Sequence, residues 1–208
     1  MEIPAFFASY GPDGVMASDG YFSVLSPKKG ANSRDLKDTV WDSFEGKEKT
    51  PVMIIDCTSF ENRGFSEKVM KHMRLTGFPV WFMTCINTVD DVFDAFNKDA
   101  EFVFAPYHLI ESDAELKDIC DVSDSVVPMI FVHKGKAVLP KRRSADVISI
   151  LEKLVKIGFY KNCIVDMERS LDGYSWSIIS EDYPSTIPLV DDLRDLQGFQ
   201  TVITPYIL

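Results

Sequence analysis

The sequence predicts an α/β protein whose parallel strands close into a (β/α)8 barrel of the TIM type, made of two half-barrel repeats. Three observations predict this fold. Short apolar runs alternate with helical patterns along most of the chain, eight such runs can be counted, and four segments of the first half resemble four segments of the second half in the same order. An open doubly wound sheet would also explain the alternation, but it gives no reason for the repeat.

The eight apolar runs have the length and character of strands that are covered on both faces. They lie at residues 3–9, 52–57, 80–84, 102–106, 127–133, 163–167, 176–180 and 201–207. The repeat pairs 3–7 with 127–131, 53–56 with 163–166, 89–92 with 190–193, and 104–109 with 203–208. We therefore expect one domain over 1–208, with half-repeats at about 1–110 and 127–208. Its interior is expected to hold residues such as Phe6, Ile55, Phe82, Phe104, Ile130 and Val165.

Helices are expected where capping residues and helical spacing agree. The segments are 32–44 behind Asn32 and Ser33, 66–76, 89–97 behind Thr88, 144–158 from Ser144 to Gly158, and 188–196. The connector 168–175 is too short for a helix, and the eighth strand runs to residue 208. We therefore expect helices to be missing after strands 6 and 8. The uncovered strand surface predicts a homo-oligomer, most simply a homodimer.

Composition excludes several classes of partner. The 208 residues carry 22 basic and 32 acidic side chains, a net charge of -10, which repels phosphate backbones and anionic lipids. We expect no nucleic acid and no membrane as partners. No apolar run approaches the roughly 20 residues that span a bilayer, so the expected location is the cytoplasm. The four cysteines form no CxxC pair and are expected to be buried, reduced thiols.

Three features of the chain resemble one family. They are the duplicated half-barrel, the opening Pro4-Ala5 strand with a glycine-containing turn at 11–14, and Asp166-Met167-Glu168-Arg169 on the sixth strand. With them the chain resembles the phosphoribosylformimino-aminoimidazole-carboxamide ribotide isomerase of histidine biosynthesis and its relatives among methanogenic archaea. The likeness runs over nearly the whole chain, at low identity and with insertions and deletions.

The resemblance also implies that the family's chemistry is lost. The family places one acid/base Asp on the first strand and another on the fifth, and the matching positions here are Phe7 and Phe131. Phenylalanine cannot exchange a proton. The family binds two phosphates at glycine-rich ends of strands 3, 4, 7 and 8, because glycine lets the backbone approach a phosphate closely. The corresponding ends here contain no glycine and read 83–85, 105–107, 180–182 and 204–206.

Polar residues at the carboxyl ends of the predicted strands are the candidate site, because barrels of this type place function there. Asp56, Asp166 and Glu168 are the candidate catalytic residues, and Arg169 is a candidate ligand-binding residue. The alternative is that Asp56 and Asp166 cap the loops that follow them or pair with a nearby Lys or Arg. Perturbed acids are not by themselves evidence of catalysis.

Further candidates surround the expected barrel mouth. The basic segment of His133, Lys134, Lys136, Lys141, Arg142 and Arg143 would bind an anion there, or form a solvated hairpin. Cys85 would be a nucleophile if a base such as His108 lowered its pKa, or would pack inertly. Tyr107 and Tyr206 would stack on a flat ligand or seal the core. The spacing of the histidines at 72, 108 and 133 predicts no metal, and nothing indicates a cofactor.

Two functions remain open from the sequence. The first is a barrel that cannot catalyse the family's isomerase reaction and that binds a small anionic metabolite. The alternative is an active isomerase-like enzyme of archaeal metabolism with a different substrate. An open polar cleft containing Asp56, Asp166 and Arg169 would favour the enzyme, whereas a mouth filled by Phe7, Phe131 and Tyr107 would argue against it.

Overall fold

Eight parallel strands close into a barrel in the computed structural model, which describes the chain except residues 24, 45–49, 75, 76, 192, 194 and 195. The strands are β1 (Glu2–Gly11), β2 (Gly14–Ser18), β3 (Tyr21–Ser23), β4 (Ser26–Lys28), β5 (Ser33–Asp35), β6 (Val52–Asp56), β7 (Val80–Met83), β8 (Ala100–Pro106), β9 (Val126–His133), β10 (Lys136–Val138), β11 (Ser144–Ala145), β12 (Asn162–Val165), β13 (Thr186–Leu189) and β14 (Val202–Pro205). The helices are α1 (Leu36–Ser43), α2 (Cys57–Asn62), α3 (Lys68–Met73), α4 (Val89–Phe96), α5 (Asp113–Cys120), α6 (Val147–Ile157) and α7 (Gly173–Asp182), with 3-10 turns at Tyr107–Leu109 and Pro140–Arg142.

The barrel strands follow one another around the barrel in their chain order. They are β1, β6, β7, β8, β9, β12, β13 and β14, and β14 pairs in parallel with β1 to close the ring. A helix follows each of the first six barrel strands before the next one begins. This arrangement confirms the predicted eight-stranded parallel barrel of the TIM type.

The strands divide the core into two layers, because successive side chains point to opposite faces. The inner cluster takes residues from all eight barrel strands, including Phe7 and Phe131, and the outer cluster lies beneath the helices. The predictions for the interior were correct for Ile55, Phe104 and Val165. They were wrong for Phe6, Phe82 and Ile130, which belong to the outer cluster. A change of one residue in register turns every side chain to the other face, and apolar runs that are buried on both faces do not show the register.

The prediction for the seventh strand was wrong. Residues 176–180 lie in α7, and the strand is β13, which includes residues 188 and 189 of the helix expected at 188–196; residues 192, 194 and 195 of that expected helix lie outside the described residues. Asp172 caps α7 by accepting a hydrogen bond from the Ser175 amide at 2.8 Å, and Trp176 and Ile179 form its buried face. Three-residue spacing and a cap define a helix, whereas a short apolar run alone fits both structures. The helix that was expected to be missing after the sixth strand is therefore present.

Two antiparallel hairpins extend the barrel at equivalent places. β1 continues into a hairpin with β2, and β9 continues into a hairpin with β10. The first hairpin leads through β3, β4 and β5 to α1, which Asp35 caps, and the second leads through β11 to α6, which Asp146 caps. The two hairpins thus rise from the carboxyl ends of the first and fifth barrel strands, on opposite sides of the barrel mouth.

The remaining predicted helices are confirmed with shifted ends. Thr88 and Asp91 form a capping box at the start of α4, and Gly158 ends α6 with a positive φ of 122°. Within the described residues, no helix follows β13 or β14. In the same part of the chain, no helix combines the length and the apolar character that a bilayer crossing requires. All four cysteines are free, as expected; Cys57, Cys85 and Cys163 are buried, whereas Cys120 is only partly buried, against the expectation.

Candidate functional site

The centre of the barrel mouth is filled by aromatic rings. The hairpin of β3 and β4 places Phe22 over the mouth, where its ring contacts Phe7 at 5.2 Å and Phe131 at 5.6 Å between centroids. Phe131 in turn meets the His108 imidazole edge-on at 5.0 Å. Water and ligands are therefore excluded from the barrel axis, and any polar site must lie around this aromatic plug.

Asp56 is buried beneath α2 and does not face the mouth. It caps α2 by accepting a hydrogen bond from the Ser59 amide at 3.2 Å, while its second carboxylate oxygen, Oδ2, is buried without a partner within the described residues. Burial raises the pKa of this carboxyl group to about 7. The Ser59 hydroxyl donates to the Asp56 carbonyl at 2.8 Å and accepts from the Cys85 amide at 3.0 Å. Asp56 therefore fastens α2 to the ends of the second and third barrel strands.

Asp166 has a capping role at the equivalent place in the second half of the chain. Its carboxylate accepts three hydrogen bonds, from the Ser170 amide at 2.9 Å, the Ser170 hydroxyl at 3.0 Å and the Leu171 amide at 2.9 Å. The side chain is 1% exposed. These contacts shape the turn at 167–171, which follows the sixth barrel strand, and they occupy the carboxylate that a substrate would need.

The turn that Asp166 holds presents Glu168 and Arg169 at the rim. The Glu168 carboxylate forms a hydrogen bond with His133 Nδ1 at 2.8 Å. The Arg169 guanidinium binds both carboxylate oxygens of Asp191 at 3.1 and 3.2 Å. The turn also packs against the β9–β10 hairpin, since a Cβ at Gly135 would lie 3.3 Å from the Ser170 carbonyl. The structure therefore brings Glu168 into contact with His133 of the basic segment, pairs Arg169 with Asp191, and gives Asp56 a separate role beneath α2.

A cavity of about 660 Å³ lies between the β3–β4 and β9–β10 hairpins. We call it the basic cavity, since five of its lining residues are His133, Lys134, Lys136, Arg142 and Arg143. Within the described residues, no carboxylate lies within ion-pair distance of Lys134, Lys136 or Arg142. The candidates His133 and Lys136 thus share one cavity; His133 pairs with Glu168, whereas Lys134, Lys136 and Arg142 have no ion-pair partner among the described residues.

A second cavity of about 570 Å³ lies beside the first, at the carboxyl ends of β7 and β8. We call it the His108 cavity. Burial lowers the pKa of His108 to about 4, so its imidazole is neutral near pH 7, and its Nδ1 atom is buried without a partner in the described part of the chain. Cys85 lines the same cavity, and burial raises the pKa of its thiol. The thiol and the imidazole line the same cavity, but the neutral thiol is not an activated nucleophile.

The two tyrosines of the repeated Pro-Tyr pairs do not line the mouth. Tyr107 and Tyr206 both belong to the outer layer of the core, where Tyr206 packs on Phe6 with a centroid distance of 4.7 Å and Lys153 Nζ lies 5.9 Å from the Tyr107 ring. Glu181 and Asp182, which were assigned to the end of the seventh strand, lie at the end of α7. The seventh strand instead leads to Asp191, the partner of Arg169.

Sequence reasoning missed three residues of this region: Phe22 of the aromatic plug, and Lys28 and Arg63 of the His108 cavity. Phe22 and Lys28 come from the β3–β4 hairpin, and Arg63 follows α2 with a left-handed φ of 54°. None of these elements was predicted, because strands of three residues and a helix of six residues leave almost no periodic signal. Of the two cations, only Arg63 lies near the end of a predicted strand, the run at 52–57, so the sequence held no signal for Lys28.

Within the described residues, no group of three or more His, Cys, Asp or Glu side chains is placed to hold a metal ion. The sequence matches no protein-family model and no curated protein. A function for this chain therefore has to be argued from the chemistry of its own cavities.

Proposed function

We propose that this protein binds a small anionic metabolite in the basic cavity, and that it does not catalyse the phosphoribosyl isomerase reaction of the family it resembles. The observation that carries the proposal is the set of unneutralised cations around one cavity. Lys134, Lys136 and Arg142 line it without an ion-pair partner in the described chain. In a protein of net charge -10, surface cations have many carboxylates available, so a cluster that has none favours an external anion.

The shape of the cavity supports a small ligand. Its volume of about 660 Å³ falls in the range of small-molecule sites, and backbone turns rather than long helices carry the cations. Lys134 and Arg142 both have positive φ values, of 50° and 56°. Both residues lie in turns outside the barrel strands, and both line the cavity.

The aromatic plug supports the loss of the isomerase reaction. Phe7 and Phe131, at the positions where the family has its two catalytic aspartates, are 0% and 1% exposed and are joined by Phe22. A proton-transferring pair at these positions would need a solvated or hydrogen-bonded environment. The inner face of the barrel offers neither, so catalysis at the family's positions is not part of the proposal.

The test is a binding titration with simple anions. We expect inorganic phosphate or sulfate to bind the wild-type protein, and K136Q and R142Q each to weaken the affinity several-fold, because each removes one unit charge from the cavity. K156Q is the matched control, since Lys156 lies on α6 outside the cavity and its side chain is 78% exposed. Calorimetry at low ionic strength measures both. Equal weakening by K136Q and K156Q would show that only the net charge matters and would refute the site.

One observation favours the alternative that the protein is an enzyme with a different substrate. His133 lines the basic cavity, and Glu168 accepts from its Nδ1 atom, the arrangement in which a carboxylate orients an imidazole for proton transfer. In this case His133 is the acid/base group and Glu168 its positioning residue. Exchange of a ligand C–H for deuterium in D2O, lost in H133Q while the ligand still binds, is the expected result. Exchange that persists in H133Q would refute it.

Two structural proposals accompany this function. We propose that the barrel arose by duplication, since the hairpins after β1 and β9 and the capping aspartates Asp35 and Asp146 repeat between the halves. We also propose a homodimer in the cytoplasm that uses the groove of about 680 Å³ beside β14, where Ile207 is 83% exposed. Sedimentation should then give twice 23.5 kDa, and a species of 23.5 kDa alone would refute the dimer.

A further inference from the structure

The basic cavity and the His108 cavity share a wall. Leu25, Ser26 and Arg142 line both of them, so the two cavities adjoin on either side of the β3–β4 hairpin and of the 3-10 turn at Pro140–Arg142. Their volumes of about 660 and 570 Å³ are similar. A single molecule that binds in one cavity can therefore extend past Arg142 into the other.

The two cavities differ in chemistry. The His108 cavity is lined by apolar groups, Leu25, Phe60 and Leu109, together with the neutral His108 ring and the neutral Cys85 thiol. It also contains Glu61, which repels an anion. The basic cavity has no carboxylate among its lining residues. The cations of the His108 cavity, Lys28, Arg63 and Arg142, share that cavity with a carboxylate, so a full anion is held better in the basic cavity, and an uncharged group is held better in the His108 cavity.

The cations that line the His108 cavity indicate what the uncharged group is. Lys28 and Arg63 line it, and neither has an ion-pair partner within the described residues. A cation without a carboxylate is attracted to the face of an aromatic ring, and this attraction strengthens when water is excluded. Phe60 and His108 add flat faces on which a ring can stack. An aromatic group satisfies all four of these side chains, whereas a saturated chain satisfies only the apolar ones.

We infer that the ligand of this protein has an oxyanion head, bound in the basic cavity, and an uncharged aromatic body, bound in the His108 cavity. This inference rests on the proposed function, because it takes the basic cavity as the anion site. Arg142, which lines both cavities, contacts the ligand where its two parts join. Recognition then needs both parts, since neither a bare anion nor an uncharged ring fills the whole site.

The experiment compares each anion with its aromatic derivative by calorimetry. Phenyl phosphate is compared with inorganic phosphate, and benzoate with acetate, so that the two pairs distinguish a phosphate head from a carboxylate head. We expect the phenyl group to tighten binding about tenfold or more in at least one pair, the gain that burial of a ring of this size provides. Phenol alone should bind much more weakly than phenyl phosphate.

Two variants place the aromatic body. L109W fills the His108 cavity and should abolish the phenyl gain while the affinity for phosphate stays unchanged. L193W is the matched control, because Leu193 is 43% exposed and lies outside both cavities, and it should keep the gain. K28Q changes only a partly exposed side chain and should reduce the gain by severalfold even if L109W does not fold. A gain that survives both L109W and K28Q would overturn the inference.

Failure of the inference and failure of the proposed function give different results. If phosphate and phenyl phosphate bind equally, the anion site stands and the aromatic body is refuted. If phenol binds as tightly as phenyl phosphate and phosphate does not bind, the basic cavity is not an anion site and both proposals are refuted. If none of the probes binds at millimolar concentration, both are again refuted.

Discussion

Replacing the buried acid Asp56 by asparagine should stabilise the protein at alkaline pH and leave it nearly unchanged at acidic pH. The carboxyl group is 0% exposed, only one of its oxygens accepts a hydrogen bond, and no cation contacts it among the described residues. Burial raises its pKa from 3.8 to about 7. Asparagine has the same shape, keeps an oxygen for the Ser59 amide and carries no charge.

The magnitude follows from linkage between proton binding and folding. Because the folded protein holds this proton up to about pH 7 and the unfolded chain releases it near pH 3.8, the folded state binds more protons between these values. Stability from this group is therefore fully present below pH 3.8 and is lost as the pH rises through about 7. A shift of this size corresponds to at most about 4 kcal/mol. We expect about 2 kcal/mol of stabilisation for D56N at alkaline pH, because the buried amide pairs its new N–H groups imperfectly.

Urea unfolding of both proteins at about pH 4 and about pH 8 measures this effect, because the titration of all other groups cancels in the difference. D166N is the matched control. Asp166 accepts three hydrogen bonds, and asparagine must turn an N–H2 group towards one of the donors, so D166N should be destabilised by about 1–3 kcal/mol at alkaline pH. A difference between wild type and D56N that does not change with pH would refute the reasoning.

Three further predictions test other parts of the structure. Burial lowers the pKa of His108 from 6.5 to about 4, so its neutral form contributes stability that is present above pH 6.5 and lost as the pH falls through about 4. H108F should therefore remove up to about 3 kcal/mol of the pH dependence of the free energy of unfolding. A pH profile of H108F parallel to that of the wild type would contradict this. G20A should destabilise the protein by about 1–3 kcal/mol in urea unfolding, because the new Cβ overlaps the Phe7 ring, whereas G64A, with open space around it, should not. Burial raises the pKa of the Cys57 thiol to about 12, and Cys163 is fully buried. A thiol reagent should therefore label the native protein first at Cys120, which is only partly buried. Fast labelling that persists in C120S would contradict the buried state of the other cysteines.

The barrel itself could be predicted because parallel strands buried on both faces leave long-range evidence in the chain. Seven of the eight predicted strands coincide with barrel strands, from β1 to β14, and their order around the barrel is the order along the chain. The remaining prediction, that of the seventh strand at residues 176–180, failed because an apolar run this short fits a helix as well as a strand. The Asp172 cap and the helical spacing of the buried residues Trp176 and Ile179 make this segment a helix.

The candidate site could be predicted only in part. The basic segment from His133 to Arg143 was recognisable from its charge, and it does line a cavity. The aspartates were recognisable from their positions, but whether an Asp at a strand end faces the mouth or caps a helix depends on register. Asp56 and Asp166 each follow a residue of the inner cluster, so their side chains point outwards, to the helix or turn that follows each strand.

The sequence by itself determined the architecture and the charge of this protein. Each apolar run and the basic segment are local features, the order of the runs extends over the whole chain, and together they suffice for a barrel with a cationic loop at its mouth. The tertiary structure alone decided that Phe22 covers Phe7 and Phe131, that Arg142 lines two cavities, and that Cys85 and His108 line one cavity. These contacts join residues far apart in the chain, and they depend on strand register and hairpin placement, which single-sequence periodicity does not encode.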